Sequence, residues 1–402
     1  MTGTPRALRA LAHRDFRLFM VGQLISLIGT WMQSVGQAWL VLELTGSPFR
    51  LGMIGTLQFS PMLFLSFPAG AISDRVHKRR LIVGTQTVLM LQALALATLV
   101  WSGHVQYWHV AILATIYGIA NTFDMPARQA YVADVVGKED LMNAIALNSA
   151  MFNGARVVGP AVAGLLVARW GAAVAFFVNG LSFMAVIIAL LAMRHEGPPR
   201  PRASQSLVAE IVEGVRYAVG TPRVALVLGL LLTVSLFVIN YHVLVPLIAR
   251  DVLGEGAHGF GLLMAALGVG ALTGAVVIAA LSLSRPPLLM VVVPALVVSV
   301  ATLALGGARH FGQAAALLSI IGLSQILFMT SCNTTVQIIV PDELRGRMMS
   351  LYAMVFVGMT PIGSFLVGTI AERFGVATAC VAGGAGGVLS VLVLTAAARR
   401  RG

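Results

Sequence analysis

Arg156 puts a permanent charge within an apolar stretch, residues 148–171, that is long enough to cross a bilayer; the other arginine of the stretch, Arg169, lies at its end. Small residues recur every four positions around it and predict a closely packed helix face: Ala155, Gly159 and Ala163. A charge at membrane depth is costly and typically marks a substrate or ion pathway. We therefore interpret Arg156 as an anion-attracting group or a gate element. The alternative is a structural charge held by backbone carbonyls or a distant carboxylate.

Polar side chains form a second candidate site on an apolar stretch near the N-terminus. They follow helical spacing on one stripe: Gln23, Ser26, Thr30, Gln33 and Gln37. Any single one is more typical of hydrogen bonding between helices, but the whole stripe indicates the wall of a wet cavity. Asn153 shares a helix face with Arg156 and favours a polar wall there too.

Titratable residues are scarce in the apolar stretches. All fifteen carboxylates fall near the predicted ends of those stretches or between them. A desolvated cation needs a counter-charge, so this pattern favours neutral or anionic ligands. Candidate proton carriers are Glu43, Asp124 and His242. No metal-ligand cluster or nucleophile–base pair appears at useful spacing, so we expect no metal, no cofactor and no enzyme activity.

The composition defines the elements that must position these residues. Of 402 residues, 58% are hydrophobic and 10% are charged, whereas soluble proteins carry roughly 25% charged residues. The net charge of +12 lies in short basic runs between apolar stretches, which argues against nucleic-acid binding. The sequence therefore predicts an all-α polytopic membrane protein that contacts the lipid bilayer.

Twelve membrane spans are predicted from the apolar runs. The first six are 16–44, 49–73, 81–102, 106–126, 141–168 and 172–193; the last six are 223–249, 259–284, 287–307, 311–333, 346–371 and 376–397. With this assignment 21 Lys and Arg residues lie on one face and five on the other, which predicts that both termini are cytoplasmic.

An internal repeat divides the chain into two six-span halves. With a shift of 204 residues, six of the seven glycines in 118–180 meet a glycine in 322–384. Arg156 and Pro160 have no counterparts, because Thr360 and Ser364 stand opposite them. We predict halves at 1–193 and 223–402, joined by a cytoplasmic linker, 194–222, with an amphipathic helix. Such parallel repeats are typical of transporters with a substrate site between the halves.

The loop after the second predicted span carries a recognisable motif. The run Gly70-Ala-Ile-Ser-Asp74-Arg75-Val-His77-Lys78-Arg79-Arg80 resembles the cytoplasmic loop signature of the major facilitator superfamily, although His77 stands where that family usually has glycine. On residue type alone, the glycine predicts a close approach between two helices, and the charges predict that the loop is anchored at the lipid headgroups. The resemblance implies a major facilitator fold and a cytoplasmic gate formed by Gly70, Asp74, Arg75 and Lys78, with Asp124 as an ionic partner.

A second motif lies in the stretch around Arg156. The residues Ala155, Gly159, Pro160, Ala163 and Gly164 resemble the fifth-span antiporter motif of that superfamily, with alanine at two glycine positions. This motif is associated with proton-driven exporters. The phrases at 121–129 and 141–149 look like the branch that contains enterobactin-type siderophore exporters and macrolide efflux proteins.

The resemblance also implies which spans face the substrate, namely one, four, seven and ten. Their polar residues extend the candidate cavity beyond the first-span stripe, Asn153 and Arg156: Tyr117, Asn121, Asn240, His242, Gln325 and Asn333.

We therefore expect a monomeric secondary transporter in the bacterial inner (plasma) membrane. By resemblance, it exports a small amphipathic molecule, such as a siderophore-like metabolite or a drug, by proton antiport with the proton gradient as its energy source. Two alternatives are an importer or facilitator of the same fold and a non-transporting membrane scaffold or receptor.

Overall fold

The computed structural model describes residues 6–197, 207–281 and 286–401, and within these ranges the regular structure is entirely helical. Ten helices are long and apolar enough to cross a membrane, and the pair Pro48–Ser66 and Pro68–Arg75, bent by 65°, forms an eleventh. The shorter apolar helix Leu289–Leu305 occupies the position of the ninth predicted span. The predicted class, an all-α polytopic membrane protein, is confirmed.

We number the spans in chain order. The first six are Arg14–Thr45, Pro48–Arg75, Lys78–Trp101, Tyr107–Gly137, Glu139–Trp170 and Ala172–Ala192. The last six are Pro222–Val252, Ala257–Leu281, Leu289–Leu305, Phe311–Ile339, Arg347–Phe374 and Val376–Ala398.

A separate helix, Leu207–Gly220, precedes the seventh span inside the predicted linker. The basic, proline-containing part of that linker, residues 198–206, lies outside the described residues. The same holds for the side chains at 207–212, on which most of the predicted apolar face of the helix falls.

The fourth span is longer than predicted. Its helix continues through Pro126 and breaks only at Gly137, which has φ 71° and ψ 179°. Helix beyond the proline is favoured because Ala127 and Tyr131 are fully buried in a hydrophobic cluster, and this packing outweighs the lost backbone hydrogen bond. The predicted loop 124–140 is therefore wrong, and Asp124 lies in the interior of a span.

The seventh span is broken rather than continuous. An α-helix, Pro222–Phe237, ends at Val238; a second, Tyr241–Leu247, follows and passes into a π-helical turn, Ile248–Val252. Between them the backbone of Asn240 departs from helical angles, with φ −120° and ψ 38°. A break of this kind leaves backbone N–H and C=O groups without their helical hydrogen bonds. Such breaks are frequent at functional positions of membrane helices.

The chain folds into two compact units. The first contains residues 1–44 and 60–203, and the second contains residues 45–59 and 204–402. In the first unit one face of the first span packs closely on the sixth, because glycines remove the intervening side chains. A Cβ at Gly22 would lie 2.9 Å from the carbonyl oxygen of Ala185, and one at Gly29 would lie 2.6 Å from Oδ1 of Asn179.

The second unit includes the start of the second span. Glu372 accepts hydrogen bonds from the Ser47 hydroxyl (2.9 Å) and the Phe49 N–H (3.0 Å), and so caps that helix. Further along, the Thr56 hydroxyl lies 3.0 Å from the carbonyl oxygen of Pro361. The opening turns of the second span are thus held on the eleventh.

The repeat predicted from glycine spacing has a structural basis in each unit. A Cβ at Gly159 would lie 2.5 Å from Cβ of Trp31 in the first span, and one at Gly363 would lie 2.5 Å from the carbonyl oxygen of Leu236 in the seventh. Gly171 and Gly375 both end a helix with positive φ, 80° and 87°, a backbone geometry that favours glycine. The matched glycines therefore lie at equivalent helix contacts and at equivalent helix ends in the two units.

Candidate functional site

Arg156 lies on the fifth span, next to an aromatic pair. Its guanidinium carbon is 5.8 Å from the centre of the Trp31 ring, within cation–π range. Phe152, one turn earlier, meets the same ring edge-on at 5.9 Å. Gly159 allows this approach because the backbone of Ile28 and the Cβ of Trp31 occupy the space a side chain would need. The motif glycine therefore positions the first span against Arg156.

Asn153 adds a polar group on the same helix. It is 6% exposed, and its Nδ2 donates to the carbonyl oxygen of Ser149 at 2.9 Å. Its Oδ1 accepts no hydrogen bond from any described residue. A buried acceptor without a donor is costly, so a ligand or water that donates here is favoured. Charge, aromatic surface and an acceptor thus lie on neighbouring turns.

The other residues of the antiporter-like motif face the protein interior. Ala155, Gly159, Pro160, Ala163 and Gly164 are all buried. This placement agrees with a ridge of small residues that permits close helix packing. We therefore infer that the motif residues position the helix that carries Arg156.

One member of the polar stripe on the first span has partners on other helices. Gln33 donates to Oε1 of Gln92 at 3.0 Å and accepts from Nδ2 of Asn179 at 2.6 Å, which links the first, third and sixth spans. Hydrogen bonds between helices thus explain Gln33 without a ligand, and its place in a cavity wall stays a prediction. The remaining members are buried, except for half-buried Thr30: Gln23, Ser26 and Gln37.

The other cavity candidates are distributed over the two units. In the first, Asn121 is half-buried, whereas Tyr117 packs against the cluster of Leu89, Ala93 and Phe183 and belongs to the hydrophobic core. In the second, Gln325 is buried, and Oδ1 of Asn333 accepts from Nε2 of Gln337 at 2.6 Å. Tyr117 and Asn333 thus have structural partners that explain them without a ligand.

His242 and Asn240 lie at the break in the seventh span. The Ser364 hydroxyl donates to the carbonyl oxygen of Thr360 (2.7 Å), so it accepts the 2.8 Å hydrogen bond from Nε2 of His242. Phe59 meets the imidazole edge-on at 5.3 Å, and a Cβ at Gly55 would lie 2.8 Å from Nε2. The second, seventh and eleventh spans therefore meet at His242.

Asn240 is fully buried beside this cluster. Its Nδ2 donates to the carbonyl oxygen of Leu236, and its Oδ1 has no partner among the described residues. The sequence did not mark Ser364 as functional. Its only signal was that it stands opposite Pro160 in the repeat.

The predicted cytoplasmic gate has different ion pairs from those expected. Lys78, 3% exposed, pairs with Asp134 at 3.0 Å. Asp124, fully buried, pairs with Arg128 at 2.6 Å and accepts from Thr85 (2.8 Å) and Gln86 (3.0 Å). The expected pairing of Asp124 with the 70–80 loop is thus wrong, because Asp124 and Arg128 are one turn apart on the same helix.

The remaining gate residues are less tightly placed. Asp74 is half-buried and Arg75 is exposed. A Cβ at Gly70 would meet nothing within 4 Å, so the expected close helix approach is not what explains this glycine. Arg79 instead anchors the loop, since its guanidinium donates to the carbonyl oxygens of Leu191 and Met193 at the end of the sixth span.

Comparison with known families gives a match over almost the whole chain. The profile of the transmembrane secretion effector family matches residues 6–401. Among curated relatives, the multidrug efflux pump Tap of Mycolicibacterium fortuitum is 27% identical over 89% of both chains. The staphyloferrin A transporter of Staphylococcus aureus is 25% identical, and macrolide efflux protein A of Streptococcus pyogenes is 23% identical, each over 90% of both chains.

Solved structures agree on the fold. A POT family transporter superposes with a TM-score of 0.78 at 9% identity over 96% of both chains. A bacterial homologue of the lysosomal transporter Spinster gives 0.72 at 14% identity, over 99% of this chain and 96% of that one.

Proposed function

The chain belongs to the transmembrane secretion effector family of the major facilitator superfamily, and on that basis we propose that it exports a small amphipathic molecule across the plasma membrane. It is a multi-pass membrane transporter, and three of its relatives carry efflux or siderophore transport in their names. Siderophore-like metabolites and drugs are the proposed substrates. The proposed mechanism is alternating access by a monomer.

The arrangement around Arg156 carries this proposal. A guanidinium binds carboxylates and other anions through several donors, and the Trp31 and Phe152 rings offer an apolar surface beside it. Asn153 supplies an acceptor on the same helix. An anionic or neutral molecule with an aromatic or aliphatic body fits these three features. The buried carboxylate of Asp124 does not change this expectation, because Arg128 neutralises it.

We propose that proton antiport drives export and that Asp124 carries the coupling proton. Protonation of this carboxylate would remove the attraction to Arg128, so proton binding would alter an ion pair whose carboxylate is fully buried inside a span. His242 is the second candidate, because its imidazole lies where three helices meet. Glu43 is weaker, since it lies at an exposed turn and accepts from the Trp39 indole.

The test uses inverted membrane vesicles and three labelled probes: a macrolide, staphyloferrin A and the cation ethidium. An interior made acidic should drive uptake of at least one of the first two, and a proton ionophore should abolish it. Uptake that requires an alkaline interior would indicate an importer. Movement of no probe under either gradient, in vesicles shown to contain the protein, would contradict the proposal.

A further inference from the structure

A groove of about 660 Å³ lies between the first and sixth spans, and neither Arg156 nor His242 lines it. Its floor consists of small residues: Gly22, Ala185, Ala189 and Ala192. A Cβ at Gly22 would lie 2.9 Å from the carbonyl oxygen of Ala185, so the two helices nearly touch beneath the groove. The floor is therefore backbone and methyl groups.

The sides of the groove are apolar and exposed. Val21 is 62% exposed, Ile25 46% and Ile188 61%. Ile188 also belongs to an exposed apolar stripe on the sixth span: Leu181, Met184, Ile188 and Leu191. A helix face of this kind in a membrane protein faces hydrocarbon. The groove therefore opens towards lipid.

Two arginines, Arg14 and Arg17, are the charged residues that line the groove. Both are exposed. Nη1 of Arg14 lies 3.3 Å from the carbonyl oxygen of Ala192 and 3.4 Å from Oδ1 of Asp15, and Nη1 of Arg17 lies 3.2 Å from the carbonyl oxygen of Leu11. These bonds engage one nitrogen of each guanidinium, and each guanidinium has five N–H donors.

Asp15 does not neutralise the positive charge of Arg14 and Arg17. Its Oδ2 accepts from the backbone N–H groups of Arg194 and His195, both at 2.9 Å. The carboxylate is thus turned towards the end of the sixth span, and two guanidinium groups face one carboxylate at the groove. An excess of positive charge remains.

The length of the groove matches one leaflet. Ile25 lies eleven positions after Arg14 on the same helix. At about 1.5 Å per residue this is about 16 Å, close to half of a hydrocarbon core of about 30 Å. A chain that starts at the arginines would end near the bilayer midplane.

We propose that this groove binds one anionic phospholipid, with its phosphate at Arg14 and Arg17 and an acyl chain along Val21 and Ile25. Basic pockets between spans recognise lipid head groups through the same charge attraction. This site does not depend on the proposed export function. A second groove of about 530 Å³, between the third and fourth spans, is lined by one arginine, Arg80, and serves as an internal control.

The experiment titrates the full-length protein in detergent micelles with phosphatidylglycerol or phosphatidylcholine and counts bound lipids by native mass spectrometry. The wild type should bind one phosphatidylglycerol about 30-fold more tightly than Arg14→Gln/Arg17→Gln, from about 1 kcal/mol for each arginine. Arg80→Gln should leave this tight binding unchanged.

A third variant tests the apolar part of the groove without removing an arginine. Val21→Trp keeps both arginines but fills an exposed position of the groove, and it should also lose the tightly bound lipid. The proposal would be overturned if the double variant bound phosphatidylglycerol as tightly as the wild type does. It would also be overturned if the wild type retained phosphatidylcholine as well as it retains phosphatidylglycerol. A dimer that is lost in Val21→Trp would overturn it in favour of a contact between two copies.

Discussion

At the scale of single residues, Asp124 and Arg156 have different surroundings. Asp124 has three polar partners: Arg128, Thr85 and Gln86. Arg156 lies over an aromatic ring and one turn from the unsatisfied Oδ1 of Asn153. The carboxylate of Asp124 is thus held by polar side chains, whereas a cation beside an aromatic ring and an acceptor without a donor is suited to contact a ligand.

Replacement of Arg156 should therefore affect transport more than folding. We expect Arg156→Ala to lower export by about 10- to 100-fold, because it removes a charge-assisted contact of about 1.5–3 kcal/mol. Arg156→Lys should retain part of the activity, since it keeps the charge but not the planar fork. Efflux from loaded cells measures both, with protein quantity checked by immunoblot.

The control for this prediction is Arg169→Ala, an exposed arginine at the end of the same span, which should export normally. Normal export by Arg156→Ala would rule out a role in substrate binding.

Asp124 leads to a prediction with two measurable parts. Asp124→Asn leaves Arg128 without its counter-charge and should destabilise the protein by about 3 kcal/mol, visible as a lower Tm. Asp124→Asn/Arg128→Gln removes both charges and should recover much of that loss. If Asp124 carries the proton, both variants should lose uptake driven by a pH gradient but keep exchange of labelled for unlabelled substrate. Gradient-driven uptake in the double variant would exclude Asp124 as the proton carrier.

At the scale of helices, glycine positions define which spans approach closely. Gly159 and Gly363 occupy matched positions, and in each case a methyl group would lie 2.5 Å from an atom of the neighbouring helix. At Gly154 the same methyl group would meet nothing within 4 Å. The antiporter-like motif is thus explained in part by packing that both units share.

Alanine substitutions test this distinction. Gly159→Ala and Gly363→Ala should each cost about 1–3 kcal/mol through overpacking, and Gly154→Ala should be close to neutral. Thermal unfolding in detergent, followed by size-exclusion fluorescence, measures the difference. A Tm for Gly159→Ala equal to that of Gly154→Ala would show that the first span can shift to make room.

At the scale of the whole molecule, the distribution of Lys and Arg predicts the orientation. The predicted spans assign 21 basic residues to one face and five to the other; without Arg128, which the structure places inside the fourth span, 20 remain against five, and both termini should be cytoplasmic. A fluorescent protein fused after Gly402 should fluoresce, and alkaline phosphatase at the same place should be inactive. The reverse result would contradict the assignment.

The sequence alone was sufficient for the fold class. Apolar length located the helices that can cross a membrane, because this signal comes from many residues at once. The division into halves at 1–193 and 223–402 stays a prediction. The extension of the fourth span beyond Pro126 was missed, since the buried contacts of Ala127 and Tyr131 are tertiary. The break at Asn240 was missed because the apolar stretch continues on both sides of it without a glycine or proline next to Asn240.

The candidate site was less predictable than the fold. Arg156 could be found because a charge in an apolar stretch is conspicuous. The hydrogen-bond partners of Gln33 could not be predicted, because Gln92 and Asn179 are 59 and 146 positions away in the chain. Ser364 had no signal of its own, since a serine in a span usually bonds to its own backbone.

The capped start of the second span has a consequence for proteolysis of the chain and for its expression as two fragments. Residues 45–59 precede the linker in sequence but belong to the same compact unit as residues 204–402. A protease that cleaves the linker would therefore not separate the two compact units, since the N-terminal fragment still supplies a piece of the other. Halves synthesised as independent polypeptides would each be incomplete, so functional complementation should require that they are made together in one cell.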